Sequence, residues 1–274
     1  MNIYKYSLGL GLAFAAALSS CDNIADNPED RFIPVDRIES SRNVLIQEFS
    51  GQRCVNCPNG AAAIASMTES YGSNIVPMTM HPDNTIFTMP MGSETDLISE
   101  IATEYYKFYK SPDSFPCAIF DGHLTNNSTN IQKWEDDAKE ALADGSSANI
   151  DLIANYDDMS RQVTVNYSVT FSHDYQERLD IVVWVVESGI VAPQMSLTGT
   201  IRDYVNNHIL RASLNGTWGE KLADGGNYKM NQEYRGTVTG EMSLKWVPSN
   251  CEIVVALLHP DTKYVEQAQQ CHIF

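Results

Sequence analysis

Val44-Leu45-Ile46-Gln47-Glu48-Phe49-Ser50-Gly51-Gln52-Arg53-Cys54-Val55-Asn56-Cys57-Pro58 is the stretch whose reading decides the fold. The apolar run Val44 to Ser50 predicts a strand, and the small apolar residues from Ala61 to Tyr71 predict a helix. Between them stand two cysteines two residues apart. A strand that turns through Cys-x-x-Cys into a helix presents a dithiol at a helix start. The thiolate is the nucleophile in disulfide exchange, and the free N–H groups and dipole of a helix N-terminus favour an anion there. Cys54 is placed at that start. Cys57, one turn on and on the same face, is placed to resolve a mixed disulfide. Arg53 adds a neighbouring cation, and Pro58 is tolerated in a first helical turn.

Other chemistries compete for the motif. Cys-x-x-Cys binds zinc, usually with a second ligand pair; the nearby candidates, His81 and Cys117, are not in a paired spacing. Haem attachment needs histidine after the second cysteine, where this chain has Pro58. A structural short-loop disulfide stays open beside the redox reading. Two residues favour redox. Phe115-Pro116 stands just before the short strand-like run Cys117-Ala118-Ile119-Phe120, where thioredoxin-like domains place a cis-proline against the dithiol. Glu48 precedes Cys54 at the position of the buried acid that moves protons in thioredoxins; the plainer reading of Glu48 is an exposed strand residue. The chain also departs from thioredoxin. Arg53 replaces a tryptophan, Val55-Asn56 replaces Gly-Pro, and Phe115 stands where a smaller residue is common, so the direction of electron flow stays open.

The compartment is read from the N-terminus. Lys5 and the apolar run Leu8 to Leu18 predict a signal segment over 1–20, too short to span a bilayer as a mature helix. Leu18-Ser19-Ser20-Cys21 resembles the lipobox of bacterial lipoproteins, in which the cysteine carries the lipid. The polar stretch Asp22 to Arg31, with Pro28, predicts a tether over 21–41, whose acidic start resembles a surface-export signal. With 18 basic against 35 acidic residues, the chain is a poor partner for nucleic acid. The mature body is expected to be extracytoplasmic, held to the membrane through a lipid on Cys21.

Beyond the tether the pattern changes once. Residues 42–146 alternate strand-like and helix-like segments: Val44–Ser50, Ala61–Tyr71, Ile75–Met80, Glu94–Tyr109, Ala118–Asp121 and Ile131–Ala143. That alternation predicts an α/β, thioredoxin-like domain. Residues 147–274 carry serial strand-like runs at Asn149–Tyr156, Gln162–Phe171, Leu179–Glu187, Tyr234–Leu244 and Cys251–His259. These predict an all-β, sandwich-like second domain. Residues 190–233 show no clear period and are expected to form a long ordered connection.

The run Val44 to Pro58, with His208-Ile209-Leu210-Arg211-Ala212-Ser213-Leu214-Asn215-Gly216-Thr217-Trp218-Gly219-Glu220 and the ending Glu266 to Ile273, resembles the 28-kDa outer-membrane protein (Omp) family of Bacteroides-group lipoproteins. The resemblance covers nearly all of the mature chain. It implies an outer-membrane lipoprotein with a thioredoxin-like first domain and a β-rich second one, and leaves the activity open.

Five cysteines follow Cys21, so at least one thiol is free or exchanging. If residues 259 and 263 face each other across a turn, then 251 faces 271, and a structural Cys251–Cys271 disulfide is expected. Cys117 is then left over, as a small buried hydrophobe or a neighbour of the dithiol. His81, His123, His173, His208, His259 and His272 form no metal spacing. The leading function is thiol-disulfide oxidoreductase-like exchange with protein thiols or disulfides, needing no cofactor. Cys54 attacks, Cys57 resolves, Pro116 shapes the approach and Glu48 assists proton transfer. The alternative is a non-enzymatic surface binding or adhesion lipoprotein that uses the fold as scaffold, with Trp218 and 190–233 as candidate contacts.

Overall fold

Strand β1 (Val44–Phe49) is buried along its whole length. It lies between β2 (Ile75–Met80), which runs parallel to it, and β3 (Cys117–Phe120), which runs antiparallel. A strand covered on both faces reads as a continuous apolar run rather than an alternating one. The structure, a computed structural model, describes residues 42–92 and 96–274. The expected signal 1–20, the lipid site Cys21, the tether 21–41 and the expected helix start at Glu94 lie outside the described residues.

Side chains of β1 still divide by face. Leu45 and Phe49 pack with Met78, Tyr105 and Cys117. Val44 and Ile46 pack with Ile64 and Met67 of α1 (Cys57–Tyr71) and with Trp134 of α3 (Trp134–Ala143). Helix α2 (Glu100–Phe108) is shorter than the expected 94–109. Ser99 caps it, accepting a hydrogen bond from the Ala102 N–H, and this fixes its first turn. Leu97, counted on the helical face from sequence, precedes the helix and packs with Ala192 and Ile209.

The later strands are β4 (Ala148–Asp157), β5 (Gln162–Phe171), β6 (Asp180–Glu187), β11 (Tyr234–Glu241), β12 (Cys251–Leu258) and β13 (Val265–His272). Strands β11, β5 and β4 form an antiparallel three-stranded sheet. Its alternating face, with Val163, Val165 and Val169, packs on Ile181, Val183, Ile253 and Val255. The segment 190–233 is not a plain connection. It holds β7 (Ile190–Ser196), β8 (Gly199–Asn206), β9 (Ile209–Ser213) and β10 (Glu220–Lys221). Strand β9 joins the two halves, pairing antiparallel with β6 and meeting β2 in parallel at Thr79 and Ile209. The result is an eight-stranded mixed sheet ordered β13-β12-β6-β9-β2-β1-β3, with β10 on β6.

The fold is therefore mixed α/β, with open sheets and no closed barrel among the described residues. Residues on both sides of 146 share one core, since Val76, Tyr105 and Trp184 belong to one cluster. The described residues belong to one compact unit. Partly buried Arg42 reinforces the join. Its guanidinium pairs with Asp121 at 2.8 Å and donates to the carbonyls of Gly145 and Val265.

One expectation is corrected here. Cys251 and Cys271 are free, as is Cys117. The partner of Cys271 across the hairpin is Ile253, not Cys251: Leu258 already pairs with Val265, one residue off the expected register, and an irregularity between Leu257 and Leu258 shifts it by one more. Alkylation of the oxidised, denatured chain followed by peptide mapping should label Cys117, Cys251 and Cys271 and leave Cys54 and Cys57 unlabelled. Protection of both 251 and 271 would contradict this register.

Candidate dithiol site

Cys54 and Cys57 are joined as a disulfide, with their Cα atoms 5.4 Å apart. Helix α1 begins at Cys57, so Cys54 lies in the turn that leads into it. Two short turns shape the loop: the Cys54 N–H donates to Gly51 O, and the Cys57 N–H donates to Cys54 O. The helix start has no side-chain cap and no acidic residue in its first turn. Its positive end is thus left open to an anion at the dithiol. Arg53 turns away, donating to the carbonyls of Met89 and Pro90. Its guanidinium serves the loop rather than the sulfurs.

The Phe115–Pro116 peptide bond is cis, immediately before β3. Phe115 stacks on Phe87 at 4.8 Å, and the Phe87 carbonyl accepts the Arg53 N–H. The cis-proline loop and the dithiol turn are thereby packed together. Both cysteines are 2% exposed.

Glu48 is fully buried, not an exposed strand residue. It projects to the α1 side of β1, where Gly60 makes room. A Cβ on Gly60 would stand 2.6 Å from Glu48 Oε1 and 3.0 Å from Pro116. The glycine is thus required for close approach, one helical turn after Cys57. Neither carboxyl oxygen has a hydrogen-bond partner. Burial pushes the Glu48 pKa up to about 8, and the nearby Thr79 hydroxyl pulls it back in part without meeting hydrogen-bond geometry. Near neutrality the carboxyl therefore holds a proton.

A cavity of about 230 Å³ opens beside Glu48 and Cys57, with Thr79, Gln194, Tyr204 and His208 in its wall. Burial raises the Tyr204 hydroxyl, with Glu48 adding to it, and lowers the His208 imidazole. Cys117 sits on the other face of β3, its thiol pushed up to about 12 by burial and by Glu48. That environment suits an inert buried thiol. His81, at the end of β2, is 2% exposed with Nδ1 unpartnered, and burial lowers its pKa to about 3. No group of three or more His, Cys, Asp or Glu side chains able to hold a metal occurs among the described residues. Trp218 packs against Tyr105 and Phe108 at the core margin, rather than standing free as a contact.

The structure thus brings Cys54, Cys57, Pro116 and Glu48 together, and leaves Cys251 and Cys271 on distant strands. Sequence reasoning missed Gln194, whose buried amide reaches the dithiol turn from β7. Its signal is only a glutamine in an irregular run.

The family model described as Outer membrane protein Omp28 matches residues 102–273. No curated protein matches. Among solved structures, HBP35 of Porphyromonas gingivalis aligns with a TM-score of 0.61 at 14% identity, over 85% of this chain and 76% of that one. A protein from Agrobacterium tumefaciens aligns at 0.49 and 14% identity, over 84% and 94%. A domain of the outer membrane lipoprotein Omp28 from Porphyromonas gingivalis aligns at 0.33 and 20% identity, over 47% and 88%. The first of these reports a shared fold.

Proposed function

We propose that this chain, which belongs to the Omp28 outer membrane protein family, is a lipid-anchored outer-membrane protein whose thioredoxin-like half exchanges disulfides with protein cysteines. Family membership associates the chain with the outer membrane. Lipidation at Cys21 rests on the lipobox-like leader. The observation that carries the redox reading is the Cys54–Cys57 pair at an uncapped, acid-free helix start, with the buried Glu48 carboxyl packed against Gly60, one helical turn after Cys57.

In the reduced form, the Cys54 thiolate attacks a partner disulfide and releases one partner thiolate. The minor fraction of Glu48 that is ionised below its pKa of about 8 takes the Cys57 proton, and the Cys57 thiolate then attacks Cys54 Sγ and releases the second. The partner gains two electrons and the pair returns to the disulfide. The same steps in reverse oxidise a partner dithiol. Exposed apolar residues around the turn, Val55, Ile86 and Met89, suit an unfolded polypeptide as partner.

A second reading has its own support. Both sulfurs are buried, as in a disulfide that only staples a loop, and the chain then serves as a surface binding scaffold. Turnover separates the two. Catalysed reduction of insulin by dithiothreitol should be measurable with the wild type and lost in Cys54→Ser. Equal rates with and without the wild-type protein favour the scaffold.

A further inference from the structure

The hairpin β7–β8 pairs with no other strand, yet it is fastened to the dithiol turn. Gln194 of β7 is 2% exposed. Its amide Nε2 donates to Cys54 O at 2.9 Å, to Gly51 O at 3.1 Å and to Met195 O at 3.1 Å. Cys54 O and Gly51 O are the same carbonyls that close the two turns around Cys54. Gln52 completes the joint. Its side chain donates to Pro193 O at 2.9 Å, and its carbonyl accepts the Met195 N–H at 2.8 Å. One buried amide therefore spans both turns that set the dithiol geometry, from a position about 140 residues away. Burying an amide is costly unless its hydrogens are used, and here both are spent on the dithiol turn and its own strand.

The hairpin's far strand bears on the same place. Tyr204, Val205 and Asn206 wall the cavity that also touches Cys57 and Glu48. The hairpin thus covers one side of the pair, while the 85–90 turn, through Phe87 O, holds the other. An attacking sulfur must line up with the Cys54–Cys57 bond to break it. A cover on one side limits how large the group carrying that sulfur can be.

Resting on the redox reading above, we propose that Gln194 is a positioning residue for the Cys54–Cys57 pair, and that the β7–β8 hairpin it fastens selects thiol substrates by size. In the step concerned, a partner thiolate attacks Cys54 Sγ and the Cys54–Cys57 bond breaks. Cys57 leaves as a thiolate and takes a proton from Glu48. A second partner thiolate attacks the partner sulfur of the mixed disulfide and releases Cys54. The partner is oxidised by two electrons and the pair is reduced.

The test compares two reductants on the oxidised full chain: dithiothreitol and reduced, unfolded ribonuclease A. In Gln194→Met, which keeps length and loses the donor, the rate with the protein thiol should rise about ten-fold relative to the rate with dithiothreitol, as the joint loosens. Gln52→Met loosens the same joint without touching Gln194 and should move the ratio the same way. It keeps the test sound if Gln194→Met does not fold. A ratio unchanged in the folded variants overturns the inference while leaving wild-type exchange intact. A wild-type pair that native-state dithiothreitol never reduces overturns the redox reading itself.

Discussion

Glu48→Gln should raise the melting temperature at pH 8.5 and slow disulfide exchange in the same protein. The sign follows from linkage. Glu48 titrates near 4.5 when unfolded and at about 8 when folded. Between those values the folded chain holds a proton that the unfolded chain has lost, so stability falls as pH rises through that window. Glutamine has the same size and no charge to neutralise. At about 1.4 kcal/mol per unit, the variant gains up to about 5 kcal/mol above pH 8 and little at pH 5. Exchange should fall on the order of a hundred-fold, the scale of a lost proton carrier. Melting curves of both proteins from pH 4 to 9 check the first part, and parallel curves would sink it.

His81 works in the other direction. Its folded pKa is depressed from 6.5 to about 3, so stability is lost as pH falls below 6.5. From these two groups the wild type should be flat between about 4.5 and 6.5 and decline on either side.

Trp184→Ala should destabilise the whole described chain by about 3–5 kcal/mol, in one transition. Trp184 is a β6 residue, but its Nε1 donates to Tyr105 Oη of α2 at 2.7 Å, and their rings meet edge to face at 6.2 Å. Tyr105 Oη in turn donates to Thr217 O. Truncation removes a large buried ring and strips a buried hydroxyl of its donor. Because Trp184 shares a core with Cys54, Cys57 and Met78, the loss should reach the dithiol. Circular dichroism and the rate of Cys54–Cys57 reduction should report the same midpoint in denaturant. Two separate midpoints, with the helical signal unmoved, would mean the halves fold independently.

The features that were legible in the sequence are local ones. A fully buried β1 announces itself as an unbroken apolar run, and the turn into α1 is written in Cys54, Cys57 and Pro58. Glu48 and Pro116 stand near the motif in sequence order, but only the pairing of β1 with β3, with Glu48 opposite Ala118, brings them together. What escaped depends on distant contacts. Strands β7 and β8 leave Val191, Ile201 and Val205 exposed, so their pattern shows no clear buried face. Gln194 is given meaning only by carbonyls about 140 residues earlier. The Cys251–Cys271 expectation failed on a turn one residue longer than expected and on one irregularity in the β12–β13 pairing, neither of which a hydrophobic count reveals. The boundary expected at 146 overlooked β9, a short strand that carries the sheet from one half into the other.

The measurement that bears most directly on the redox reading is the equilibrium reduction potential of Cys54–Cys57, taken in the native chain against a glutathione buffer. A pair that turns over should equilibrate between about −270 and −120 mV, the range of exchanging dithiols. A pair that stays oxidised to below about −300 mV behaves as a structural staple and contradicts the account.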